Sequence, residues 1–135
     1  MTVEGFKVDG SPFPKNEHMP FQFEKLKVWN EALRLAGEVA KLPKIFPKDE
    51  LFVLTAQMKR AADSVVLNIA EGSTLQSKSE FKRFLVIANR SALEVVACFY
   101  LARERKLIPQ EIFEKYYSEY ENLIKSIKAL IKSLI

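Results

Sequence analysis

The sequence predicts an all-α protein, an antiparallel up-down-up-down four-helix bundle over residues 21–135 behind a short irregular arm at residues 1–20. Three observations predict it. Apolar residues recur at alternating steps of 3 and 4 in four separate stretches, the period of one helix face. The 4 glycines and 6 prolines are few, and the prolines fall between the periodic stretches rather than inside them. The breaks are short, and short connections make each helix antiparallel to the next.

The arm, MTVEGFKVDGSPFPKNEHMP, carries three prolines and two glycines without a period and reads as a flexible segment, in which Met19 offers a second start. Helix 1 is expected from about Phe23 to Leu42, with Leu26, Trp29, Leu33, Ala36 and Ala40 inward and Ala32 and Val39 widening the stripe. PKIFPK (43–48) ends it, because proline lacks a backbone donor and drives the residue before it out of helix. Helix 2 is expected from about Lys48 to Glu71, capped by Gly72. Ser77-Lys-Ser-Glu80 has the spacing of a capping box and opens helix 3, expected to about Lys106. Pro109 suits the first turn of helix 4, where Phe113, Tyr116, Tyr120, Leu123, Ile127, Leu130 and Leu134 form one unbroken row.

Helices 2 and 3 are apolar on two sides. Val53, Ala56, Leu67 and Ala70 lie off the main stripe of helix 2, and Val86, Leu93, Ala97 and Tyr100 lie opposite Phe84, Ala88, Val95 and Phe99 in helix 3. A helix in a monomeric bundle needs one buried face, so the second rows imply a further surface to cover, most simply by self-association. The bland reading leaves alanines and a few valines half-exposed.

Composition narrows function by exclusion. The lone histidine, His18, sits in the arm, which removes the base of a Ser-His-Asp or Cys-His site and the Glu-x-x-His pairs of di-iron bundles. No glycine-rich phosphate loop, Walker lysine or zinc spacing occurs, so no enzyme, metal or cofactor is expected. Cys98, the single cysteine, reads as a small buried hydrophobe and fits a reducing, cytoplasmic setting. No unbroken apolar run reaches the roughly 18 residues of a membrane span. A net charge of +4 permits a nucleic-acid partner without demanding one.

Two polar patterns remain. Gln57, Arg60, Ser64, Asn68 and Glu71 share a narrow stripe of helix 2, and Glu80, Arg83, Arg90 and Glu94, with Ser91 beside them, share one on helix 3. Folding the two helices about residue 75 brings Gln57 and Arg60 to Glu94, Arg60 level with Arg90, and Glu71 and Asn68 to Arg83. The favoured reading is a satisfied structural network at a helix seam; the alternative is a ligand or nucleic-acid site. On the first reading, Arg60→Ala strands a buried Glu94 and costs on the order of 3 kcal/mol. The second pattern is basic: Lys125, Lys128 and Lys132 along helix 4, and Lys78, Lys82 and Arg83 at the start of helix 3. These are the candidate nucleic-acid contacts, weighed against a plain solvated face.

The stretches FEKLKVW (23–29), LTAQMKRAADSVVLNIAEG (54–72) and SKSEFKRFLVIANRSALEV (77–95) together resemble the proteins encoded in intervening sequences of bacterial 23S ribosomal RNA genes. The resemblance spans about Phe21 to Ile135. It implies an all-helical fold, a ring-like homopentamer, and kinship with the nucleic-acid-binding accessory proteins of diversity-generating retroelements. Two departures stand out. Val66-Leu67 replaces a usual proline, which should leave helix 2 straighter, and Arg90-Ser91 replaces a usual Gly-Ser, which should crowd the seam. The expected function is a non-enzymatic oligomer that binds RNA or DNA through phosphates as an accessory to a ribonucleoprotein. The alternative is a protein-protein scaffold with no nucleic-acid role.

Overall fold

A computed structural model describes residues 20–42, 51–74 and 77–134, with only the backbone of Leu51 and Phe52. The readings of the arm, His18, Met19 and the PKIFPK break lie outside the described residues. A 3-10 turn, Gln22–Lys25, leads into four helices: α1 (Lys27–Lys41), α2 (Leu51–Ser73), α3 (Lys78–Glu104) and α4 (Gln110–Ser133). α1 packs on α2, α2 on α3, α3 on α4, and α1 closes the ring on α4. This is the predicted up-down bundle.

The core is the set of apolar stripes that the period marks. Met58, Val65 and Ile69 of α2 meet Leu85, Val95 and Phe99 of α3, with Leu35 and Val39 of α1 and Tyr120 and Ile127 of α4, all essentially inaccessible. α3 is long and apolar enough, by length and composition alone, to cross a membrane. In the fold it is the helix held between α2 and α4, and one row of its apolar residues, Leu85, Ala88, Ala92, Val95, Phe99 and Ala102, packs into the shared core.

Helix 1 departs from expectation. Its buried stripe is Val28, Ala32, Leu35, Ala36 and Val39, whereas Leu33 and Ala40 face outward. Both rows fit a helical period; α1 has to serve α2 and α4 at once, and only the arc through Leu35 reaches both.

The boundaries differ for local reasons. Ahead of α1, the Glu24 carboxylate accepts the Phe21 N–H at 2.9 Å, so an acidic residue becomes buried as a cap. Gly72 is not a helix end: α2 runs on to Ser73. A Cβ there would come within 2.6 Å of Phe84 Cβ, so the glycine is needed for close packing of α2 on α3. Ser77 caps α3 by accepting the Glu80 N–H at 3.3 Å, while the Glu80 carboxylate turns to Arg83 instead of completing the box. α3 stops two residues short of Lys106. The Lys106 N–H donates to Arg103 O at 2.9 Å and the Leu107 N–H to Ala102 O at 2.8 Å, a Schellman closure. Lys106 takes the left-handed backbone (φ 57°) where glycine is usual, so no sequence signal marked the end.

Candidate nucleic-acid interface

The expected ionic seam between α2 and α3 is hydrogen-bonded instead, with no ion pair across it among the described residues. The Ser64 and Ser91 hydroxyls meet at 2.8 Å, and Asn68 Nδ2 donates to Ser64 O at 2.8 Å and to Ser64 Oγ at 3.0 Å. Gln57 Nε2 donates to Glu94 Oε2 at 3.4 Å, the one predicted cross-helix pairing that forms as drawn. The charged members are exposed. Arg60 and Arg90 make no ion pair among the described residues, and Glu71 offers Arg83 only a longer-range attraction. Arg83 instead pairs with Glu80 of its own helix at 2.9 Å and lies over the Phe84 ring at 4.7 Å. The physical reason is the narrowness set by Gly72 and by the buried alanines 61, 88 and 92: serine and asparagine fit, whereas arginine is pushed outward. Arg90 therefore does not crowd the seam.

The ionic network lies between α1 and α4, where sequence reasoning did not look. Arg34 binds Glu31 at 3.0 Å, forms a close hydrogen bond with Glu38, and reaches Glu119 Oε2 at 3.6 Å. That last distance is too long for a hydrogen bond, so Glu119 Oε2 is buried with charge attraction alone. The Tyr116 hydroxyl donates to Glu38 Oε1 at 2.9 Å, and Lys115 Nζ stands 3.6 Å from the same oxygen. Burial pushes the Glu38 carboxyl up, but the Tyr116 hydroxyl and the Arg34 and Lys115 charges outweigh it, so its pKa falls below the usual carboxylate value. Burial, then the Glu38 bond, raises the Tyr116 hydroxyl to about 12. The Glu31–Arg34–Glu38 spacing was a readable signal; its closure onto α4 was not.

The basic residues gather at one end of the α3–α4 face. Asn89 Nδ2 donates to Ile124 O at 3.4 Å and Tyr100 packs edge-on to Phe113 at 4.9 Å, which together set the antiparallel register. The start of α3, with Lys78 and Lys82, therefore lies beside the end of α4, with Lys128 and Lys132. Lys125, Lys128 and Lys132 are exposed as expected. Lys125 is partly matched by Glu121 at 4.0 Å, and Lys128 and Lys132 make no ion pair among the described residues. Arg83 does not join them. It stands roughly 100° round the helix from Lys82, on the side of α2.

Exposed apolar groups form two grooves. One, of about 410 Å³, lies between α1 and α2 and is lined by Leu33, Gly37, Ala40, Val66 and Leu67, with Asp63 the only charged residue among the described ones. The other, about 240 Å³, lies between α3 and α4 among Leu93, Val96, Tyr117 and Ile124, with Glu121, Lys125 and Lys128 at its edge. The second apolar rows are thus present: Val53 and Leu67 on α2, and Val86, Leu93 and Tyr100 on α3, are all exposed. Cys98 is buried, and burial followed by the nearby Glu94 charge raises its thiol.

Among solved structures, the chain is similar to a protein of unknown function from the S23 ribosomal protein family of Bacteroides thetaiotaomicron, with a TM-score of 0.73 and 26% identity over 78% of this chain and 98% of that one. No curated protein matches. The model of the 23S rRNA-intervening sequence protein family matches residues 24–129, the whole of the bundle up to the last turn of α4, and the chain belongs to that family.

Proposed function

We propose that this chain is a non-enzymatic, self-associating cytoplasmic bundle that binds RNA or DNA through phosphates, as an accessory to a ribonucleoprotein. The observation that carries the reading is the convergence of Lys78 and Lys82 with Lys125, Lys128 and Lys132 at one end of the α3–α4 face. Assembly multiplies the effect: five copies at +4 carry +20 on one particle. Such a pentameric ring needs heterologous contacts, in which one patch of each copy meets a different patch of the next. The α1–α2 groove supplies one patch, and the exposed Val86 and Leu101 of α3 supply another.

Anisotropy of labelled nucleic acid tests the binding. The logarithm of affinity should fall with log salt by roughly 0.7 to 0.9 per phosphate neutralised. Lys125→Glu with Lys132→Glu should flatten that slope without touching the core. Binding weaker than about a millimolar at low salt would reduce the lysines to a solubilising face. Light scattering should report several times the 15.5 kDa chain. The second reading, a scaffold for another polypeptide, is favoured by the α1–α2 groove, which has almost no charge; a monomer that fails to bind nucleic acid would bring it forward.

A further inference from the structure

The α3–α4 groove holds more than lysines. Tyr100 and Tyr117, 45% and 37% exposed, meet edge-on at 6.3 Å over the buried ring of Phe113. Arg103 lies over this cluster, 4.0 Å from the Phe113 ring and 5.1 Å from Tyr100. Toward the other end, past Leu93, Val96 and Ile124, stand Lys125 and Lys128. From Tyr117 to Lys128 along α4 is about eleven helical residues, or about 16 Å, and Tyr100, level with Phe113, lies about one turn further away. One groove thus offers flat aromatic surface at one end and free positive charge at the other.

We infer that this groove is a track for single-stranded nucleic acid, with bases stacked on Tyr100 and Tyr117 and the backbone running past Arg103 toward Lys125 and Lys128. The inference rests on the nucleic-acid reading and specifies its substrate. Charge complementarity selects the occupant: a wholly apolar partner would gain nothing from the cations, whereas a strand has an apolar face and an anionic backbone. Glu121 offsets Lys125, 4.0 Å away, so the uncompensated positive charge of the groove comes from Lys128 at one end and Arg103 at the other. Single strands are selected over duplex because a duplex keeps its base faces stacked and presents only phosphates and edges. Among the described residues, the lining of the α1–α2 groove includes no aromatic ring and no cation.

The test is a comparison of a labelled uridine-rich strand with a duplex of equal length, each titrated by anisotropy. Tyr100→Leu with Tyr117→Leu keeps apolar bulk but removes the rings. It should weaken the single strand about tenfold or more and the duplex by less than about twofold, since stacking is lost and phosphate contacts are kept. The salt slope should not change, and Tyr→Phe at both positions should bind as wild type does. A thiouridine-substituted strand irradiated with the wild-type protein should crosslink to peptides containing Tyr100 or Tyr117, a readout independent of how the variants fold. Equal losses for strand and duplex, or crosslinks confined to other helices, would overturn the track and leave the phosphate reading standing. Failure of the wild type to bind either probe would remove both.

Discussion

The two polar seams of this bundle solve opposite problems. Between α2 and α3 the backbones come so near that Gly72 has no room for a methyl group, and the bonds that cross are hydroxyl to hydroxyl and amide to carboxylate. Between α1 and α4 a cleft of about 300 Å³ opens beside Lys27, Glu31 and Asn122. Further along the same seam a guanidinium gathers three carboxylates and a tyrosine binds one of them. The contrast shows that separation selects chemistry. The tight seam is crossed at its centre by short hydroxyls, with its arginines left outside, whereas the more open seam holds a cluster of long charged groups.

The comparison can be broken most sharply at Gly72. Gly72→Ala forces a contact that side chains essentially never make, and overpacking of this kind costs about 1 to 3 kcal/mol. Urea unfolding should show a lower midpoint; an unchanged one would mean that the seam has slack and that its lack of ion pairs among the described residues needs another cause.

Next comes Tyr116→Phe, which removes the hydroxyl bond to the Glu38 carboxylate and should cost about 1.5 kcal/mol at neutral pH. Its pH dependence separates the partners. Glu38 is held below its ordinary value of 4.5, so its contribution is present above 4.5 and is lost as pH falls through the lower folded value. The Tyr116 hydroxyl is raised from 10.0 to about 12, so its contribution is complete below 10.0 and is lost as pH rises toward 12. Urea midpoints across both windows should be flatter in the phenylalanine variant. Identical profiles would mean that the network is solvated and idle.

The smallest effect belongs to Arg60→Ala. The sequence pairing gave Arg60 a buried carboxylate; in the fold it is exposed and unpaired among the described residues. The expected change is within about 0.5 kcal/mol, the ordinary range of a surface substitution. A loss of several kcal/mol in a thermal melt would restore the ionic seam, or place Arg60 in an interface between copies.

These residues also show what one sequence could reveal. The helix 4 row from Phe113 to Ile127 is buried as read, because period alone decides which face of an amphipathic helix turns inward. Period could not decide α1, where two rows competed and only the tertiary arrangement chose Leu35 over Leu33. Nor could it reveal the left-handed Lys106, since lysine carries no turn signal, or the reach of Arg34 to Glu119 on a distant helix. Gly72 was noticed for the wrong reason: glycine marks a chain end and a close approach alike. In the candidate interface the lysines were legible as charges, but their convergence depended on the α3–α4 register. The pairing of Tyr100 with Tyr117 went unread because they belong to different helices.

The positions of the two seams along the chain set an order of assembly. Ser64 and Ser91 are 27 residues apart, whereas Glu38 and Tyr116 are 78 apart. Closing the longer loop costs about 0.9 kcal/mol more entropy, so the α2–α3 hairpin gathers first and α1 docks on α4 last. By the same logic α1 is the helix that lifts away first in the native ensemble. Amide hydrogens of α1 should exchange at a lower free energy than those of α2 and α3, and uniform exchange across all four helices would contradict this. On this expectation the close α2–α3 pair should persist in openings that release α1.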